Sequence, residues 1–132
     1  MAELQCIVVT PERTVEDQPA EFVALTLFDG EIGIAPGHTP LIGRLGFGEM
    51  RITGPAGTDR FYVEGGFVEV AGDVISVLTP RAVPAAEIDE AVAGEQLADA
   101  RTRPAHTPEL MAIRDRAVVQ SRAELRVARR AR

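Results

Sequence analysis

The side chains with most chemical reach in this 132-residue chain are two histidines, one cysteine and two serines. Ser76 and Ser121 lie outside any Gly-x-Ser-x-Gly turn, so neither has the exposed, strained setting of a hydrolase nucleophile. His38, His106 and Cys6 fall in different segments and are too few for a zinc site. Carboxylate pairs such as Glu16/Asp17 and Glu64/Glu69 have strand- or loop-like contexts that leave their charge in water. Gly46-Phe47-Gly48 leads into a strand rather than a helix, which rules out a dinucleotide-binding turn. All 14 basic residues are arginine, so a Schiff-base lysine and a P-loop are both excluded. This inventory describes a non-catalytic chain with no metal centre.

One stretch does hold polar side chains on a stiff frame. In residues 27–41, Gly30, Gly33 and Gly37 punctuate the backbone and Pro36 and Pro40 restrict it, with Glu31 and His38 carried between them. A loop so constrained presents a few groups in fixed positions. On its own, His38 reads as a turn residue bonding nearby backbone.

The elements around that stretch come in two kinds. Up to Pro84 the runs Leu4–Thr10, Glu21–Phe28, Glu49–Thr53, Arg60–Glu64, Phe67–Ala71 and Val74–Leu78 are rich in Val, Ile, Phe and Thr. Glycine-containing turns separate them, and Ala71-Gly72-Asp73 predicts a tight hairpin. Several runs are apolar in both phases of the alternation, which a twisted sheet with one buried face and partly covered edges accommodates. Six or more strands with no helix between them predict a β-sandwich or flattened barrel. From Ala85 the pattern turns helical, over Glu87 to about Arg101 and Pro108 to about Arg129, with Thr107 as N-cap before Pro108. The expected class is α+β: an N-terminal β-sandwich over 1–84, then a C-terminal α-helical hairpin over 85–132.

Composition sets the limits. The chain can bury one modest core, and no apolar run approaches the roughly 20 residues of a membrane span. Its start lacks the features of a secretory signal or transit peptide. Cys6, within an apolar run, is expected as a buried structural thiol of a reducing compartment. Residues 1–100 hold 17 acidic residues against 5 arginines, a balance of −12, and residues 101–132 hold 3 against 9, a balance of +6. The acidic body and the lack of interleaved aromatic and basic residues point away from nucleic acid.

The hairpin is predicted to be lightly anchored. The five phenylalanines and the tyrosine all precede residue 70, and the helices offer mainly alanine, which buries little area at roughly 25 cal/mol per Å². Gly94 inside the first helix costs about 1 kcal/mol relative to alanine. At 100° per residue the second helix places Leu110, Ile113, Ala117, Leu125 and Ala128 on one stripe. Arg114, Arg122, Arg126, Arg129 and Arg130 lie on an adjacent face suited either to solvent or to an acidic partner.

Residues Gly30-Glu31-Ile32-Gly33-Ile34-Ala35-Pro36-Gly37-His38-Thr39-Pro40-Leu41 resemble the loop of the epsilon subunits of bacterial F-type ATP synthases. Gly48–Ile52 resembles that family's next strand, Tyr62–Val70 its glycine-pair hairpin, Ile88–Ala91 the start of its first C-terminal helix and Ala123–Ala128 the end of its second. The resemblance implies a non-catalytic rotor subunit of a proton-translocating synthase, clamped between the γ subunit and the c-ring. It would lie peripherally on the cytoplasmic side of the bacterial inner membrane. It implies contact roles toward γ and the c-ring for Asp29, Glu31, His38 and Pro40. It further implies a hairpin that can extend along γ and block ATP hydrolysis, with Arg114, Arg122, Arg126 and Arg129 meeting an acidic segment of the catalytic β subunit. Some relatives bind ATP on the folded hairpin. Here Ile88, Asp89, Ala93, Arg122 and Arg126 fit that motif, but Val92 stands where it has arginine. Losing one charged phosphate contact costs about 1.5–3 kcal/mol, roughly 10- to 150-fold in affinity, so weak ATP binding or none is expected, and no cofactor. The alternative reading is a small β-sandwich binding module with the hairpin as a dimerisation arm.

Overall fold

In the N-terminal region the apolar runs become strands because every second side chain finds a core. The computed structural model describes residues 3–131; Met1, Ala2 and Arg132, the ends of the two expected regions, lie outside the described residues. Ten strands form: β1 (Leu4–Val9), β2 (Thr14–Ala20), β3 (Phe22–Leu27), β4 (Gly30–Ile34), β5 (Leu41–Arg44), β6 (Phe47–Gly54), β7 (Gly57–Glu64), β8 (Phe67–Ala71), β9 (Val74–Leu78) and β10 (Ala82–Pro84). They make two five-stranded sheets, in the orders β2-β1-β9-β8-β5 and β10-β7-β6-β3-β4. Pairing is antiparallel except between β1 and β9. Between the sheets lies a core built from Leu4, Cys6, Val8, Val23, Leu25, Ile34, Met50, Ile52, Phe61, Val63, Val68, Val70, Ile75 and Val77.

The expected hairpin at Gly72-Asp73 is present, with Ala71 opposite Val74 and Gly72 at φ +61°. The glycine pair Gly65-Gly66, expected as the turn of a hairpin, instead carries the chain from β7 in the second sheet to β8 in the first. Gly66 has φ +102°, and a Cβ there would lie 2.0 Å from the Leu78 carbonyl oxygen, so only glycine allows this crossing. The stretch 27–41 is also less of a loop than its composition suggests. Gly30–Ile34 is strand β4, on the edge of the second sheet, because Ile32 and Ile34 pack against or within the core.

A single 3₁₀ turn over Ala85–Glu87 leads to α1 (Glu90–Arg101), and α2 (Pro108–Arg130) follows. Asp89 caps α1 by accepting from the Ala91 and Val92 amides, and Thr107 caps α2 by accepting from Leu110. The helices pack on each other and close over the outer face of the second sheet. Their shared core is Tyr62, Ala85, Ile88, Ala93, Leu97, Ala123, Leu125, Val127 and Ala128, rich in alanine as expected. The predicted stripe of α2 is only half used. Leu125 and Ala128 are buried, whereas Leu110 and Ile113 are exposed, as is every residue from Pro108 to Ile113. The reason is length: α1 has 12 residues and α2 has 23, so the first turns of α2 run on without a partner.

Candidate docking surfaces

The loop residues are placed by two turns at opposite ends of β4. Asp29 lies in the turn between β3 and β4, and Glu31 stands opposite Thr26 on the helix-facing side of the second sheet. His38 and Pro40 follow the strand, beyond its roughly 15 Å length. Glu31 and His38 are therefore not brought together. The His38 ring Nδ1 lies 2.7 Å from the Thr39 carbonyl oxygen, and its amide donates to Ala35. The Gly37 amide donates to Asp73 Oδ1 at 3.1 Å, tying this loop to the β8–β9 turn. His38 thus holds its own loop, which is the role its setting suggested.

The outer face of the first sheet was not singled out from the sequence. Strand register puts Phe67 beside Leu78 and Arg44, and Ile42 beside Glu69 and Ser76. Ile7 and Val9 extend that face on β1. Ile42 is 76% exposed, Phe67 58%, Leu78 53% and Val74 41%. At one end Phe28 is also exposed, with the Arg44 guanidinium 5.7 Å from its ring centre. The available signal was the apolar character of these strands in both phases, since a face that meets only water has no need of it. Several large apolar side chains exposed on one sheet face in this way mark a binding face.

The hairpin arginines divide in two. Arg114 bonds Asp115, and Arg129 bonds Glu90 Oε1 at 3.0 Å. Arg122 and Arg126 have no carboxylate within ion-pair distance among the described residues. They line a groove between α1 and α2 with Leu97, Arg101, Leu125, Arg129 and Arg130. The other residues of the expected ATP motif do not line it. Ile88 and Ala93 are buried, the Asp89 carboxylate caps α1, and Val92 faces outward. Arg126 and Arg130 also line a second groove with Glu31, Glu49 and Arg51, so one expected contact residue and one expected hairpin residue share a cleft.

Beneath α2 two carboxylates are buried with charge partners. Glu49 Oε1 accepts from Arg51 at 2.8 Å and Arg60 at 3.1 Å. Arg81 spans Glu124 on α2 with two bonds of 3.2 Å and stands 3.6 Å from Glu64 on β7. The Tyr62 hydroxyl donates to Glu64, as does the Gln120 amide. Bonding to Glu124 raises the Arg81 pKa; burial, then Glu64 and Glu124, raise that of Tyr62 far above its usual range. Burial, then the charges of Glu16 and Asp17, push the Cys6 thiol up to about 12. Among the described residues no cluster of His, Cys, Asp and Glu could hold a metal ion, and no helix is long and apolar enough to cross a membrane.

Residues 3–85 match the family model described as ATP synthase, Delta/Epsilon chain, beta-sandwich domain. This chain belongs to that family. The ATP synthase epsilon chain of Rhodopirellula baltica is 48% identical over 126 residues, covering 96% of this chain and 98% of that one. The epsilon chain from Janthinobacterium is 46% identical over 96 residues, 70% of this chain and 69% of the other. The fold is also that of a subunit in the structure of Euglena gracilis mitochondrial ATP synthase containing OSCP, F1 and the c-ring. There the TM-score is 0.85 at 21% identity, over 93% of this chain and 79% of that one. A chain of the Tetrahymena thermophila central stalk and c-ring structure matches with a TM-score of 0.74 at 12% identity, covering 95% and 96%. As an ATP synthase epsilon subunit, this chain is a non-catalytic member of the complex.

Proposed function

We propose that this epsilon subunit couples rotation of the c-ring to the catalytic head by gripping γ through the outer face of its first sheet. The observation that carries the reading is the exposed apolar face of Ile42, Phe67, Val74 and Leu78, built on a stiff two-sheet body. Burying it against a partner is favourable at roughly 25 cal/mol per Å². Asp29, Glu31, His38 and Pro40 serve as contacts toward γ and the c-ring, and the Gly37–Asp73 bond keeps the second pair fixed under load. The synthase is taken as proton-translocating, with this subunit peripheral on the cytoplasmic side of the bacterial inner membrane.

The hairpin acts as a brake on ATP hydrolysis when it leaves the sandwich. Its alanine-rich seat favours reversibility, and Arg122 and Arg126 are available for an acidic segment of the catalytic β subunit, joined by Arg114 and Arg129 once their present partners are exchanged. ATP is bound weakly or not at all, because Val92 supplies no charge and Asp89 is engaged as a cap. Co-purification tests the assembly. The tagged chain is expected to bring down γ from membranes; recovery solely as a free homodimer would favour the dimerisation-arm reading instead.

A further inference from the structure

We propose that Arg81 is the positioning residue that keeps the hairpin docked, by neutralising two carboxylates that docking forces together. This inference rests on the hairpin being releasable and names what holds it. Glu64 comes from the sandwich and Glu124 from α2. Their side chains are 17% and 10% exposed, and both are aimed at the one guanidinium. The Tyr62 hydroxyl and the Gln120 amide both donate to Glu64, so they soften its charge without cancelling it. The flanking charges, Asp99 on α1 and Arg103 in the turn just after it, pair with each other and leave the balance to Arg81. With Arg81 the cluster carries one net negative charge; without it, two part-buried carboxylates, each within 3.6 Å of where the guanidinium stood, have no cation between them.

Such a clasp suits a reversible joint. When α2 leaves, Glu124 regains water and Glu64 keeps Arg81 beside it, so no charge is stranded in either state. The docked state therefore gains selectivity for one seating while remaining separable. The rest of the seam, built on small alanines, would tolerate a slipped helix far better.

The chain supplies its own reporter. Tyr62 is the sole tyrosine, there is no tryptophan, and Tyr62 is fully buried under the hairpin. Acrylamide quenching of its fluorescence in the full-length chain reads undocking, and the reactivity of Cys6 in the sandwich core reads unfolding. Arg81→Ala should increase quenching about tenfold while Cys6 stays unreactive. Adding Glu124→Gln to Arg81→Ala should restore shielding, because the repulsion is gone, and Arg81→Glu with Glu124→Arg should restore it as well. A shielded Tyr62 in Arg81→Ala, a double variant as exposed as the single one, or loss of Cys6 protection would each overturn the proposal. None of these outcomes depends on γ binding or ATP hydrolysis, so failure of the clasp and failure of the rotor reading remain distinguishable.

Discussion

Cys6 and His38 show how neighbours decide what a reactive side chain does. A thiol is reactive as the thiolate, and the Cys6 thiol, pushed up to about 12 by burial and by nearby Glu16 and Asp17, stays protonated at neutral pH. The native chain should therefore resist alkylation at Cys6 under conditions where the denatured chain reacts fully, as mass spectrometry would read. Rapid labelling of the native protein would contradict the packing of β1. His38 donates its amide to Ala35 and keeps its ring against the Thr39 carbonyl, so its chemistry is spent on the turn. Both roles were legible from local context, because an apolar run and a Pro-Gly-x-x-Pro frame act over a few residues. The Arg81–Glu124 pair was not. Its members are 43 positions apart, and on a helix read alone Glu124 belongs to the solvated side.

At the scale of elements, the sequence spoke clearly where one period dominated. The Thr107 cap, the Gly72 turn and the alanine-rich seam follow from local residue types, whereas the first helix, expected from Glu87, starts only at Glu90 behind its Asp89 cap. Strands β2, β4, β5 and β10 were not distinguished in advance, because Thr-Val-Glu-Asp-Gln-Pro-Ala and Gly-Glu-Ile-Gly-Ile carry polar or glycine residues that only edge pairing makes strand-like. The crossing at Gly65-Gly66 was equally hidden, since nothing in a glycine pair tells a hairpin from a change of sheet. The seam between α2 and the second sheet makes its own prediction. The Tyr62 phenol is held above its usual value of about 10, so docking favours the neutral form. Its contribution to stability is complete below about pH 10 and is lost as pH rises toward the shifted value. Tyrosinate absorbance should accordingly appear only well above pH 10, coincident with hairpin release; ordinary titration near 10 would contradict the burial. Removal of residues 87–132 from the assembled complex should raise ATP hydrolysis severalfold with proton pumping retained. Unchanged hydrolysis would show that the hairpin is no brake here.

For the whole molecule, the two sheets have unequal outer faces. The second sheet spends its face on the hairpin, through Tyr62, Glu49 and the Arg81 cluster. The first leaves Ile42, Phe67, Val74 and Leu78 uncovered. Only the three-dimensional pairing shows this asymmetry, because both sheets have apolar residues in both phases and the sequence does not say which face the helices take. The proposed function asks for a grip on γ on one side and a releasable hairpin on the other, and this division of faces is suited to both. The affinity of the full-length chain for γ, compared between the native sequence and Phe67→Asp, tests this most directly. Placing a charge within that contact should weaken binding about thirtyfold or more, on the scale of a hot-spot loss of 2 kcal/mol or greater. Glu95→Arg on exposed α1 should leave it unchanged. Equal affinities for the native and Phe67→Asp chains would contradict the account.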